Sequence, residues 1–203
     1  IVSEMDEVIP ALVAAVQEQH ATGDHYRDDA IRQAMEHQAQ LALRPGPVRV
    51  DVIVDPPWSD GQINSVQVVT GDRPFLVDTV ASCLLRHGWR VEDVRHPIIG
   101  VKRDRGTIEA VGMPGRGGCA SESWIHIDAT APLGTDIGQA AEQLRDDLCA
   151  CLDQVVCATD DWGAMHEAML RTAELVSASS GPADDRDSSR ELLEWLADDH
   201  FMY

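Results

Sequence analysis

His96 follows Arg95, and His126 stands two residues before Asp128. A histidine beside a carboxylate can move protons or hold a metal. The spacing here offers neither role. No H-x-x-x-H, H-E-x-x-H or carboxylate-rich ligand set occurs, and His20, His25, His37 and His166 supply none. The two histidines are therefore read as cross-strand or surface hydrogen-bonding residues. Five cysteines occur, at 83, 119, 149, 151 and 157. The odd count and the lack of a C-x-x-C pair argue against a disulfide framework or a zinc ribbon. Cys149 and Cys151 lie about 200° apart around a helix and cannot share one metal. Cys83 and Cys151 fall on apolar faces and are expected in the core. Cys119, in a Gly-rich segment, is the candidate exposed nucleophile, but the chain offers no electropositive setting for it. Gly115-Arg116-Gly117-Gly118 has the glycines of a phosphate loop without the following helix. No catalytic residue, metal site or cofactor site is assigned to this chain.

One constellation does suit a small ligand: Thr70, Gly71, Asp72, Arg73, Pro74 and Phe75. They join an apolar run at 63–70, predicted to be a strand, to an amphipathic run predicted to be a helix over 74–87. Gly71 can turn the chain sharply with a positive φ. Asp72 is placed to accept orphan N–H groups of the helix, and Pro74 fits its first turn. Backbone N–H groups at such a junction converge on a point that suits a carboxylate. Arg73 reads either as an anchor for that ligand or as a surface charge beside Asp72.

The elements that would position these residues follow from periodicity. Residues 4–43 read as two helices with a break at 21–24 and a restart at Tyr26; Arg44-Pro45-Gly46-Pro47 ends the second. Alternation predicts a strand over 48–54. Gly88 suits the position after the 74–87 helix. A long strand over 89–103 is expected to bend at Pro97, turn at Asp104-Arg105-Gly106 and return over 107–112. Residues 113–121 are Gly-rich and expected to be mobile. In the strand at 123–130, Ile125, Ile127 and Ala129 face one way and Trp124, His126 and Asp128 the other. The helix at 136–156 carries the stripe Ile137, Ala141, Leu144, Leu148, Cys151 and Val155, with Asp136 and Gln139 as a capping box. Another helix follows Thr159, with Trp162, Met165, Met169, Thr172 and Val176 on one face. Residues 177–189 read as a Ser-, Gly- and Asp-rich linker, and Ser188-Ser189-Arg190-Glu191 as the cap of a short helix over 192–196. Strand, helix, strand, strand, helix is the order of an α+β sandwich with helices on one face of an antiparallel sheet.

Composition narrows the function. The 203 residues are 44% hydrophobic with a mean hydropathy of -0.20, fitting a globular protein with its own core. No apolar run reaches the roughly 20 residues of a spanning helix. The acidic start Ile1-Val2-Ser3-Glu4-Met5-Asp6 gives no secretory signal, so a cytoplasmic location is expected. The absent initiator Met and the ending Phe201-Met202-Tyr203 suggest a piece of a longer chain. A net charge of -19 argues against nucleic acid and anionic membranes as partners. Aromatics are only 4%, so Trp124, Trp162 and Trp195 are expected to anchor contacts.

Asp72-Arg73-Pro74-Phe75-Leu76 resembles the strand-to-helix signature of ACT domains, βαββαβ modules that often bind amino acids. The usual pattern has Gly where this chain has Phe75. Three more segments extend the likeness: His96-Pro97-Ile98-Ile99-Gly100-Val101-Lys102-Arg103-Asp104, Glu122-Ser123-Trp124-Ile125-His126-Ile127-Asp128, and Glu194-Trp195-Leu196-Ala197-Asp198-Asp199-His200-Phe201. In this order, over roughly 48–203, they resemble the N-terminal region of the large bacterial NAD-specific glutamate dehydrogenases. The resemblance implies an ACT-like (ferredoxin-like) antiparallel sheet packed by helices, with extra N- and C-terminal helices. It divides the chain into an N-terminal helical segment (1–47), an ACT-like domain (48–157), a helix (158–177), a flexible linker (178–190) and the start of a following domain (191–203). The final strand of the ACT pattern is missing after the 136–156 helix, and the strand at 48–54 is expected to fill its place in the sheet. The resemblance implies a non-catalytic regulatory or assembly region of an enzyme that deaminates glutamate to 2-oxoglutarate in amino-acid catabolism. NAD would belong to the distant catalytic region of that enzyme. The implied partners are its other domains and subunits, a small amino-acid effector at residues 70–75, and further copies in a homo-oligomer. A free-standing amino-acid sensor and a purely structural oligomerisation module are the alternatives.

Overall fold

The computed structural model describes residues 2–19, 28–59 and 61–200, and the side chains of 8–17, 29–59 and 61–198. The expected break at 21–24, the restart at Tyr26, Asp60 in the loop and the C-terminal Phe201 lie outside these residues. Contacts divide the chain into two compact units, Ile1–Val155 and Val156–Tyr203.

The first unit begins with helices α1 (Val2–Gln19) and α2 (Asp28–Ala42). Strands β1 (Val48–Ile53) and β2 (Ile63–Gly71) follow, then helix α3 (Leu76–Arg86) and strands β3 (Arg90–Arg95), β4 (Ile98–Asp104), β5 (Thr107–Gly112) and β6 (Ala120–Thr130). Helix α4 (Ile137–Asp160) contains the boundary between the units. The sheet is antiparallel throughout, in the order β1-β2-β6-β4-β5, with β3 also pairing with β6. β1 lies along the outer flank of β2, from Val48 opposite Thr70 to Ile53 opposite Ser65. The early strand thus takes the place that the missing last strand would leave empty.

Pro97 divides the predicted 89–103 strand. It has no N–H for the ladder, so β3 stops at Arg95 and β4 starts at Ile98. Both pieces stay on β6, and the Pro97 carbonyl accepts the Trp124 N–H at 3.0 Å between them. Gly88 closes α3 in the left-handed conformation, φ 74°. Its N–H bonds the Leu85 carbonyl, and the Trp89 N–H bonds that of Leu84, the paired bonds of a Schellman end. Residues 113–119, expected to be mobile, form a hydrogen-bonded turn in which the Arg116 N–H reaches Met113 and the Cys119 N–H reaches Arg116.

One face of the sheet, with Val66, Val68, Ile125, Ile127 and Ala129, packs on Leu76, Val80, Cys83 and Leu84 of α3 and on Ala141, Leu144, Leu148 and Leu152 of α4. The other face is also covered. Val69, Ile99, Val101, Ile108 and Trp124 form a second core with Leu12, Val13 and Val16 of α1 and Met35, Ala39, Leu41 and Ala42 of α2. This corrects the expectation of helices on one face and of 1–47 as a separate segment. The central strands β2 and β6 are buried on both sides, and their second face mixes Val69 and Trp124 with buried polar residues such as Gln67, His126 and Asp128.

The second unit holds α5 (Trp162–Ala178), α6 (Ala183–Trp195) and a π-helical turn at Leu196–His200. Helix α6 replaces most of the predicted 178–190 linker and absorbs the short helix predicted at 192–196. Asp184 and Asp185 occupy its first turn, where carboxylates favour the helix dipole, and Arg190 bonds Glu194 one turn on at 2.6 Å. Composition alone does not separate such a charged helix from a linker.

Candidate functional site

The loop at 70–75 is built differently from its sequence expectation. Thr70 is buried, and Gly71 remains in β2 opposite Glu122, without the positive φ expected of it. The ladder runs one step further, as the Asp72 N–H bonds the Ser121 carbonyl at 2.9 Å. The Asp72 carboxylate does not cap α3; its Oδ1 accepts the Ser123 hydroxyl at 2.6 Å. Arg73 folds its guanidinium back over Gly71, 3.7 Å from where a Cβ would stand. Pro74 precedes the helix instead of starting it. The left-handed residue is Phe75, with φ 70° and ψ 2°, and it is the N-cap of α3. It is the same position at which the ACT pattern has Gly. The usual glycine is therefore explained by backbone conformation: an L-residue in this region costs roughly 1–2 kcal/mol. Phe75 is 40% exposed, and the N-terminus of α3 carries no side-chain cap.

His96 joins this loop from the break between β3 and β4. Its Nε2 lies 2.9 Å from Ser123 Oγ. The one hydroxyl proton of Ser123 goes to Asp72, so Nε2 must be the donor to Ser123. Burial holds the His96 imidazole below the usual histidine range, against the opposing pull of Asp72. A serine nucleophile needs the reverse order, with histidine accepting the hydroxyl proton. This trio ties the loop to β6 and does not activate Ser123.

A second polar cluster lies between α2 and the sheet. Gln67 Nε2 reaches His126 Nδ1 at 3.1 Å and the Ala34 carbonyl at 2.9 Å, while Gln67 Oε1 meets His37 Nδ1 at 2.8 Å. His126 Nε2 lies 3.0 Å from Asp128 Oδ1, and Arg95 pairs with the other oxygen of Asp128. One proton assignment satisfies the row: His37 donates to Gln67, Gln67 donates to His126, and His126 donates to Asp128. Burial pushes the His126 imidazole down, with Arg95 adding to this and Asp128 opposing it. The sequence reading of His96 and His126 as cross-strand partners agrees with this geometry. It missed Gln67 and Gln38, both 2% exposed or less. Their signal was a glutamine alternating with valines in β2 and a polar residue on the inner face of α2. The adjoining cavity, about 10 Å³ and lined by Val16, Met35, Gln38, Pro97 and His126 among others, is of the size of one water.

Cys83 is buried and Cys151 half-buried, on α3 and α4; Cys119 is half-buried, and Cys157 is exposed. Among the described residues no group of three His, Cys, Asp or Glu side chains could hold a metal, and no helix is long and apolar enough to cross a membrane.

An antiparallel sheet with a strand-loop-helix junction at 70–76 and an early strand in the last strand's place defines an ACT-type α+β module. A family model for the ACT1 domain of glutamate dehydrogenase matches residues 12–148, and the chain belongs to that family. The match starts within α1, so the family unit includes the N-terminal helices that cover the second sheet face. The NAD-specific glutamate dehydrogenase of Halomonas elongata is 28% identical over 145 residues, which are 68% of this chain and 9% of that protein. The chain therefore spans less than a tenth of the length of that relative.

Proposed function

We propose that this chain is a non-catalytic regulatory and assembly region of a cytoplasmic NAD-dependent glutamate dehydrogenase. The parent enzyme would deaminate L-glutamate oxidatively to 2-oxoglutarate, with NAD bound in a region outside this chain. The family match and the Halomonas elongata relative support the association with glutamate dehydrogenase. Its partners would be other domains of the parent and further copies of the chain.

Phe75 carries the choice between assembly and effector binding. A ligand carboxylate at the start of α3 would approach the backbone where the Phe75 Cβ and ring stand. The uncapped N-terminus of α3 favours the second reading, an amino-acid effector held by residues 70–75. Calorimetry and thermal shift with the common amino acids and with NAD, on wild type and Phe75→Gly, separate the two. The assembly reading expects no NAD binding and no tight amino-acid binding by wild type, with self-association in light scattering. Tight wild-type binding of an amino acid, lost on changing Arg73 or Asp72, would restore the effector reading.

A further inference from the structure

We propose that Cys83 and Cys151 form a peroxide-reactive dithiol, in which Cys151 is oxidised first and Cys83 resolves it into a disulfide joining α3 to α4. Arg86 stands at the centre of the cluster. Its Nη2 donates to Cys151 Sγ at 3.1 Å, across 65 residues of chain. Cys83 stands three residues before Arg86 on α3, in the core against which Cys151 packs, and is a neighbour of both groups. The two helices are fastened at this end: His87 Nε2 meets Asp147 Oδ2 at 2.7 Å, one turn of α4 before Cys151.

The division of labour follows from exposure and charge. Cys151 is half-buried and accepts the hydrogen bond of an exposed arginine, which leaves its sulfur within reach of a small oxidant. Cys83 is 0% exposed, and burial pushes its thiol up against the opposing effect of Arg86. It is shielded from solvent oxidant. Cys149 and Cys157 are set differently. Burial, then the Asp153 and Asp146 carboxylates, push the Cys149 thiol up; Cys157 is exposed.

The chemistry balances with hydrogen peroxide as the oxidant. The Cys151 thiolate attacks one peroxide oxygen, the O–O bond breaks, and with one proton the products are Cys151 sulfenic acid and water. The Cys83 sulfur then attacks the sulfenic sulfur and displaces its oxygen, which leaves as water with the Cys83 proton. Two thiols are oxidised by two electrons, and one peroxide is reduced to two waters. Because Phe75 is the N-cap of α3, the bond would fasten to α4 the helix that follows the 70–75 loop.

The full 203-residue chain, reduced and then treated with hydrogen peroxide, is digested without reductant and mapped by mass spectrometry. The expected product is a linked pair of peptides holding Cys83 and Cys151, separated again by dithiothreitol. In Cys83→Ser, Cys151 should accumulate as a sulfenic acid trapped by dimedone. Arg86→Gln should slow Cys151 oxidation several-fold and leave Cys157 unchanged. Circular dichroism checks that each variant is folded. Failure of the linked pair to form in folded wild-type protein, or oxidation of Cys157 as fast as Cys151, overturns the proposal.

Discussion

Phe75 holds a Cβ in a conformation that favours glycine, and that reverses an ordinary substitution rule. In a helix interior, Ala is better than Gly by about 1 kcal/mol. The sequence reading put Phe75 within the first helical turn, where that rule would apply. In the structure it is the left-handed N-cap of α3. Phe75→Ala keeps the Cβ and loses the ring; Phe75→Gly loses both. Urea denaturation should therefore find Phe75→Gly more stable than Phe75→Ala, by about 1 kcal/mol. The opposite order would place the residue in a right-handed conformation. His126 sets a second expectation. Its folded-state pKa lies below the ordinary 6.5 because of burial, so the unfolded chain binds its proton first as pH falls. Its stabilising contribution is complete above pH 6.5 and is lost below that, down to the folded-state pKa. The charged groups about it are Arg95, Asp128 and Asp93, and His37 shares its Gln67 partner. Thermal melts between neutral and mildly acidic pH should fall for wild type and fall less steeply for His126→Asn. The loop was legible as a junction because Gly, Asp and Pro are local signals. Its hydrogen bonds were not legible: Asp72 meets Ser123 across 51 residues, and no local pattern reports such a partner.

At the scale of elements, the pair α1 and α2 belongs to the sheet it covers. Removing residues 1–47 would expose Val69, Ile99, Val101, Ile108 and Trp124, each 5% exposed or less in the intact chain. An apolar face of that kind on a free protein drives association. A chain beginning at 48 should aggregate or bind a hydrophobic dye, as seen by size-exclusion chromatography and dye fluorescence. A monodisperse, dye-silent product would mean that the second core is dispensable. The main strands and helices were readable because their periods of 2 and 3.6 are strong in β2, β6, α3 and α4. The covering of the second face was only half readable. Trp124 and Val69 pointed away from the first core, but nothing in the periodicity of α1 or α2 named the surface they would meet. The split at Pro97 was read as a bend, because a proline's missing N–H is local while continued pairing on β6 is not.

At the scale of the whole molecule, the two units make different demands. Within Val156–Tyr203, only Ala173 and Ala197 are buried hydrophobics among the described residues, while Trp162, Met165, Leu175, Leu192 and Trp195 are all at least 41% exposed. The first unit has both of its cores within Ile1–Val155. A chain ending at 160, which keeps α4 whole, should retain a cooperative thermal transition close to that of the full chain. A molten or greatly destabilised product, by near-ultraviolet circular dichroism, would show that the first unit depends on the second. With helices on both of its faces, the sheet offers other chains only its rims. The rims at β1 and at β5 each carry an ion pair, Asp51 with Arg44 at 2.9 Å on one and Glu109 with Lys102 at 2.8 Å on the other. Two copies joined β1 to β1 are related by a twofold axis, and growth stops there. Copies joined β1 to β5 repeat the same step each time and extend without limit into a ribbon. Charged side chains on a rim oppose such growth, so these two ion pairs stand at the places where a ribbon would have to add its next copy.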